Sequence, residues 1–339
     1  MDALSPIVRW TLPVPNALIL VPVLLAGART TTQEAGGVAP SLPSRAIAES
    51  GSRVTHLVSD PRRSVIYTAT EKGTIAAWDP KKAAALWATT KEVPGITGLA
   101  AGGDFVVFTL SGLGAVFVLE AETGQAQTGV GGTAVAAKAT CVVSDVRDRW
   151  VWVGTEEGVL QRLVVGNVQG WSNRSLKNGG ILALALEPEG DLLAVAGRDK
   201  TIRLANAASA SVDDKKVLAG HTAAITAIAV APKASVLVSG AEDHTVRVWS
   251  VASGKCKFQL DAHLATIRGI AIDPKGARCA SGDEQGVTKL WNLAKGEELA
   301  TLKLEASGPV AALVFLDKGK TLAVAAGGTC VTLWDLSQL

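Results

Sequence analysis

The sequence predicts an all-β fold: a closed ring of seven four-stranded antiparallel sheets. Three observations carry that expectation. Of 339 residues, 48% are apolar but only 4% aromatic, and 35 are glycine, which suits short strands and glycine-containing turns better than long helices. Strand-sized runs recur with a period slightly above forty residues. The first run of each repeat alternates small and large side chains.

The period is read from seven similar segments: GTIAAWD at 73–79, GAVFVLE at 114–120, GVLQRLV at 158–164, KTIRLAN at 200–206, HTVRVWS at 244–250, GVTKLWN at 286–292 and TCVTLWD at 329–335. Their sixth positions, Trp78, Leu119, Leu163, Ala205, Trp249, Trp291 and Trp334, recur at intervals of 41 to 44 residues. One repeat contains four runs, as in ITAIAVA, VLVSGA, TVRVWS and KCKFQL, parted by turn formers such as Pro-Lys and Ala-Ser-Gly. First runs such as LALALE at 182–187, RGIAI at 268–272 and VAALVF at 310–315 place small residues where strands crowd near an axis. A sheet apolar on both faces must stack on a neighbour, and a ring provides one for every sheet while removing large exposed edges. The seventh repeat supplies only three runs. SRAIAES, at 44–50, precedes the first repeat and belongs to none, so it is expected to be the fourth strand of the last sheet and to clasp the ring.

The fifth and sixth segments, GHTAAITAIAVAPKASVLVSGAEDHTVRVWS and AHLATIRGIAIDPKGARCASGDEQGVTKLWN, and the pairs Trp78-Asp79 and Trp334-Asp335 resemble the WD-repeat family of β-propellers. The resemblance covers roughly residues 44 to 339; segments two to four rest on spacing. It implies a seven-bladed β-propeller that serves as a non-catalytic scaffold or adaptor for a protein or peptide, as a subunit of a larger assembly, with no cofactor. It also implies a hydrogen-bonded brace: a histidine between blades, a Ser or Thr in the second strand, an Asp in the following turn and the Trp of the third strand. His221, Ser239, Asp243 and Trp249 match it in the fifth blade. The sixth keeps His263, Ser281 and Trp291 but has Gln285 at the Asp position, and the fourth keeps Asp199 with Ala205 in place of Trp.

Ser239, Asp243 and His244 lie close enough in sequence to suggest a hydrolase. VLVSGAED lacks the G-x-S-x-G elbow, so the cluster reads as a brace, with His244 an exposed turn residue. In the family, loops between strands two and three share one face, commonly the binding face. Here they carry Glu71, Glu156, Glu242 and Glu284, with Arg198 as the exception, while Arg53 and Arg268 begin first strands on the same face and are expected to neutralise part of it. Like charges around a rim favour a basic peptide or protein surface.

Other classes are poorly supported by the residues. Net charge is +2, and no run of Lys or Arg suggests nucleic acid as a partner. The four cysteines are isolated, without metal spacing, and read as small buried apolar residues. Gly319-Lys320-Thr321 has Val314 where a phosphate loop needs glycine, and reads as a hairpin turn. Gly112-Leu113-Gly114 lacks the third glycine of a dinucleotide fingerprint. Asn173-Arg174-Ser175 is a formal glycosylation triplet. WDPKKAAALWATT and LEAETGQAQTG also resemble quinoprotein-type repeats, so an exported propeller enzyme or cofactor-binding protein is the alternative. No His cluster or closely spaced carboxylate pair accompanies them.

Residues 10 to 28, WTLPVPNALILVPVLLAGA, carry no charge, follow Arg9 and end on the signal-peptidase form Ala26-Gly27-Ala28. Their length also suits a membrane anchor, although Pro13, Pro15 and Pro22 interrupt a helix. The expected organisation is an export signal or anchor at 1–28, a linker at 29–43 and the propeller at 44–339. The chain is then exported or membrane-tethered, with a cytoplasmic location as the alternative.

Overall fold

Six repeats each fold into one antiparallel sheet whose four strands lie in chain order, as hairpins joined by short turns require, and the seventh supplies three strands of its sheet. The computed structural model describes residues 42–339 apart from 48–50, 61, 111–114, 128–132, 135–137, 146–149, 165–166, 177–178, 189–191, 210, 262 and 305–307. Blade 1 is typical: Val54–Asp60, Val65–Thr70, Ile75–Asp79 and Ala84–Ala88. Blades 2 to 7 begin at Ile96, Ala139, Ile181, Ile225, Ile267 and Val310. Their first strands touch successively, and the first strand of blade 7 touches that of blade 1, so the ring is closed. Turns between strands one and two and between three and four gather on one face, called the lower face here. Turns between strands two and three, and the connections from blade to blade, form the upper face.

The ring is closed where the apolar run before the first repeat predicts. Ser44–Ile47 pairs antiparallel with Val331–Asp335, with Ser44 opposite Trp334 and Ile47 opposite Val331. The expected strand ran to Ser50, but residues 48–50 lie outside the described residues. The boundary with the linker moves two residues earlier than 43/44. Leu42 is buried beside Trp334 and Leu336, and the Pro43 carbonyl accepts the Asp335 N–H at 2.9 Å. Apolar burial places Leu42 in the last blade. The segments expected at 1–28 and 29–41 lie outside the described residues. Among the described residues no helix is long and apolar enough to cross a membrane.

Blades adhere through apolar clusters that each draw on two neighbours. One joins Ala194, Ala196 and Leu204 of blade 4 to Ile225, Leu237 and Trp249 of blade 5; the next joins Val238 and Val248 to Ile267, Cys279 and Trp291 of blade 6. The second strands come so close to the next blade that a Cβ on Gly240 would lie 2.3 Å from Ile267 Cγ2, and one on Gly282 2.4 Å from Val310 Cγ1. That approach explains the glycine after Ser239 and Ser281.

A feature with no sequence signature repeats in all seven blades: the pairing of strands one and two skips one residue. The skipped positions are Thr55, Thr97, Thr140, Leu182, Thr226, Arg268 and Ala311. A bulge bends and twists its strand, here always just inside the upper face. Where the residue is threonine, its hydroxyl can serve the ring: Thr140 Oγ1 donates to Ile181 O of the next blade at 2.6 Å, and Thr226 Oγ1 likewise to Ile267 O.

Candidate functional site

In blade 5 the second strand, Val236–Ala241, and the third, Val246–Ser250, carry Ser239 and Trp249; His221 arrives from the blade 4 connection and Asp243 from the turn. Trp249 Nε1 donates to Ser239 Oγ at 2.8 Å. Ser239 Oγ lies 2.7 Å from His221 Nε2, and His221 Nδ1 lies 2.8 Å from Asp243 Oδ2. One direction satisfies every group: indole to hydroxyl, hydroxyl to Nε2, and Nδ1–H to carboxylate, with a neutral ring. Burial pushes the His221 pKa down despite the opposing hydrogen bond that its ring donates to Asp243. Burial would raise Asp243, but bonds from the Thr222 N–H, the Thr245 hydroxyl and His221 outweigh it and hold the pKa at about 2.

Blade 6 carries the same chain of bonds, correcting the expectation that its brace lacks the acid. Trp291 Nε1 donates to Ser281 Oγ at 2.8 Å, Ser281 Oγ lies 2.7 Å from His263 Nε2, and His263 Nδ1 meets Asp283 Oδ2 at 2.9 Å. Asp283 stands two residues before Gln285, opposite Ile267, as Ala241 stands opposite Ile225 in blade 5. The histidine ring is thus reached either by the residue that ends the second strand, Asp283 in blade 6, or by one two places on in the turn, Asp243 in blade 5. Asp283 also accepts the N–H groups of Gln285 and Val287, at 3.0 and 2.9 Å.

The order Asp–His–Ser is that of a hydrolytic triad, yet the chemistry does not follow. Ser239 and Ser281 are fully buried, and each oxygen already receives an indole N–H. A nucleophile must meet its substrate; these two cannot. His244 is exposed, in a left-handed turn at φ 66°, and stands outside the chain of bonds.

Elsewhere the brace is partial. In blade 1, Trp78 Nε1 donates to Thr68 Oγ1 at 2.9 Å, a half-brace the sequence reading overlooked; a hydroxyl ten residues before the Trp, as in Ser239 to Trp249, is the signal. In blade 4, Asp199 instead takes Arg203 at 2.5 Å and the Thr201 hydroxyl at 2.9 Å. Blade 3 places the Arg162 guanidinium 4.4 Å from the Trp150 ring centroid.

Three of the four rim glutamates have a cation beside them, two of these being the Arg53 and Arg268 placed on this face by the sequence. Arg53 Nε lies 3.3 Å from Glu71, Lys138 Nζ 3.7 Å from Glu156, and Arg268 Nε 3.2 Å from Glu284. Arg268 holds the Glu284 carboxyl below its ordinary range. Arg53 and Lys138 immediately precede their first strands and Arg268 is the bulge residue, so each faces the turn that follows the second strand. Glu242 is exposed, and so is Leu264, directly after His263 on the same face, at 83%. Of the cysteines, Cys279 is buried, Cys141 and Cys330 are half-buried, and Cys256 is exposed. Cys256 departs from the expectation because it lies on an outer fourth strand. Asn173-Arg174-Ser175 ends the outer strand of blade 3, and Gly319 closes the expected hairpin turn in blade 7. Gly112-Leu113-Gly114 lies outside the described residues.

Seven four-stranded blades stacked around an axis define the class: a β-propeller. Residues 170–206, 213–250 and 254–292 match the family model described as WD domain, G-beta repeat. With the braces and the closed ring, those three matched repeats support a WD-repeat propeller. The first match takes in the fourth segment, which sequence inspection had rested on spacing alone. Propellers of this family are generally non-catalytic scaffolds and usually bind protein partners. No curated protein matches the chain.

Proposed function

We propose that the protein is a non-catalytic platform holding a protein partner on the upper rim of blades 5 and 6, with residues 10–28 directing it to export or to a membrane. The observation that carries the reading is the pairing of two complete braces in adjacent blades with Leu264, 83% exposed on the rim they stiffen. Contact surfaces favour apolar anchors on rigid supports, ringed by polar groups. Glu242, His244 and the Arg268–Glu284 pair provide that ring.

The expected basic character of the partner now rests on Glu242, since Glu71, Glu156 and Glu284 are matched by cations. Affinity isolation of the intact chain from its native source is the test, run beside Leu264→Asp and Glu242→Arg. The reading requires a protein retained by the parent chain and lost, by tenfold or more at a hot spot, from the Leu264 variant. Equal retention by all three would reject the rim as the contact.

A further inference from the structure

The lower face is charged very differently from the upper one. Turns of blades 5, 6 and 7 place Lys233, Lys255, Lys275, Lys295, Lys318 and Lys320 there, all exposed, and Lys81 and Lys82 continue the series into blade 1. These turns lie side by side: Lys81 Nζ is 3.7 Å from Asp317 of blade 7, Arg278 of blade 6 donates to Gly319 O of blade 7 at 2.6 Å, and a Cβ on Gly276 would meet Ala231 of blade 5 at 3.5 Å.

The exposed acids of this sector, Asp317, Asp335, Glu297 and Glu298, are fewer than its eight lysines, and two others are turned inward. Asp60 and Asp273 are buried; Asp273 is occupied by the Ala277 and Arg278 N–H groups at 2.7 and 3.0 Å, and Asp60 faces Arg63 at 3.5 Å. The pairs Lys81–Asp317 at 3.7 Å, Lys82–Asp79 at 3.8 Å and Lys295–Glu297 at 3.7 Å are long and exposed, the kind that holds little energy. On blade 2 the sign changes, because Asp104 and Glu122 are exposed on the same face and bind Arg63. The positive field therefore covers one side of the lower face.

The chain enters the ring on that side. Leu42 is buried against Trp334 and Leu336, and Arg45 donates to Pro80 O, in the lower turn of blade 1, at 2.7 Å. Residues 29–41 reach at most about 45 Å when fully extended, so the uncharged stretch at 10–28 is tied within reach of the lysines. An apolar tether and an array of lysines on one face match a bilayer with anionic headgroups, where each lysine near the surface raises partition about fivefold.

We infer that the lower face of blades 5, 6, 7 and 1 docks on an anionic phospholipid surface, leaving the upper rim pointed away from it. The inference rests on the proposed membrane-directed role of residues 10–28 for its tether, and on the lysines for its docking surface. Sedimentation of the purified full chain and of a chain lacking residues 1–28, with vesicles of phosphatidylcholine alone or mixed with phosphatidylglycerol, tests the two separately. The shortened chain is expected to sediment only with the anionic vesicles, and less at physiological than at low salt. Combined Lys233→Glu, Lys275→Glu and Lys318→Glu should lower its partition about a hundredfold or more. Lys72→Glu with Arg198→Glu, on the upper face, should leave partition unchanged; thermal melts verify that both variants fold. Equal partition of the triple variant and its parent overturns the docking surface. So does binding of the shortened chain to single-stranded RNA but not to vesicles, which would assign the lysines to nucleic acid. A full chain that binds neutral vesicles no better than the shortened one removes the tether and leaves the docking surface standing.

Discussion

Blades 5 and 6 run a directed chain of hydrogen bonds from a buried indole to a buried carboxylate, whereas the join of blades 1 and 2 is filled with aromatic rings. Tyr67 and Trp87 of blade 1 sit with ring centroids 5.9 Å apart, and both reach Ala121 O of blade 2, Trp87 Nε1 at 2.9 Å. Phe108 and Phe117 of blade 2 stack at 5.1 Å. Both devices tie strands to turns, but their physics differs. Aromatic packing scales with area and tolerates a change of charge. A bonded chain fixes geometry and fails as a unit when one member is lost. The braced blades are therefore specified by a few residues, the aromatic ones by many.

The largest expected effect concerns what both regions share, the closed ring. Deleting residues 44–50 uncovers the edge Val331–Asp335 and removes Ile47 from its cluster; with about 1.5–3 kcal/mol for the isoleucine alone, a loss of about 4 kcal/mol or more is expected as a lower, broader thermal melt. An unchanged melt would mean that the blades do not depend on closure.

Next come the braces. His263→Ala should cost about 2–4 kcal/mol and His221→Ala about 1–2 kcal/mol by denaturant titration. The order follows from burial of the acids, since the Asp283 side chain is 2% exposed against 7% for Asp243, while each keeps other donors: Gln285 and Val287 N–H at Asp283, Thr222 N–H and the Thr245 hydroxyl at Asp243. Reversal of that order would show that burial of the acid does not set the cost. Thr68→Val, in half-braced blade 1, should cost about 1–2 kcal/mol by leaving Trp78 Nε1 unpaired.

The smallest effect separates the two devices by pH. Burial pushes His221 and His263 below their ordinary value of 6.5, so the unfolded chain binds protons more readily over that interval. Their contribution is complete above pH 6.5 and is lost as pH falls through the lowered folded values. Asp243, held at about 2 against an ordinary 3.8, adds a further loss between those limits. Melting temperature should fall on acidification below pH 6.5. His263→Gln should flatten part of that slope, whereas Trp87→Phe in the aromatic join should leave it intact.

Much of the ring is legible in the residues because its signals are local and repeated. Trp249, Trp291 and Trp334 mark third strands, and each strand-sized run shows its own apolar pattern. The blade 5 brace is equally legible, since His221, Ser239, Asp243 and Trp249 each occupy the family position. The acid of blade 6 escapes alignment by position because Asp283 acts from the end of the second strand, two residues before the turn position that Asp243 holds in blade 5. The strand pattern places Arg53 and Arg268 on the face of the rim glutamates, whereas Lys138 and Glu156 show themselves as neighbours only after the first hairpin of blade 3 folds.

The order of strands, the number of blades and the need for closure were determined by sequence alone, because an apolar run of a given length must pair and an apolar sheet must stack. Which carboxylate completes a brace, which rim charges cancel and which face gathers an excess of lysines were decided by tertiary structure. Hydrogen bonds and charges act over a few ångströms, and those distances exist only once strands far apart in the chain have come together.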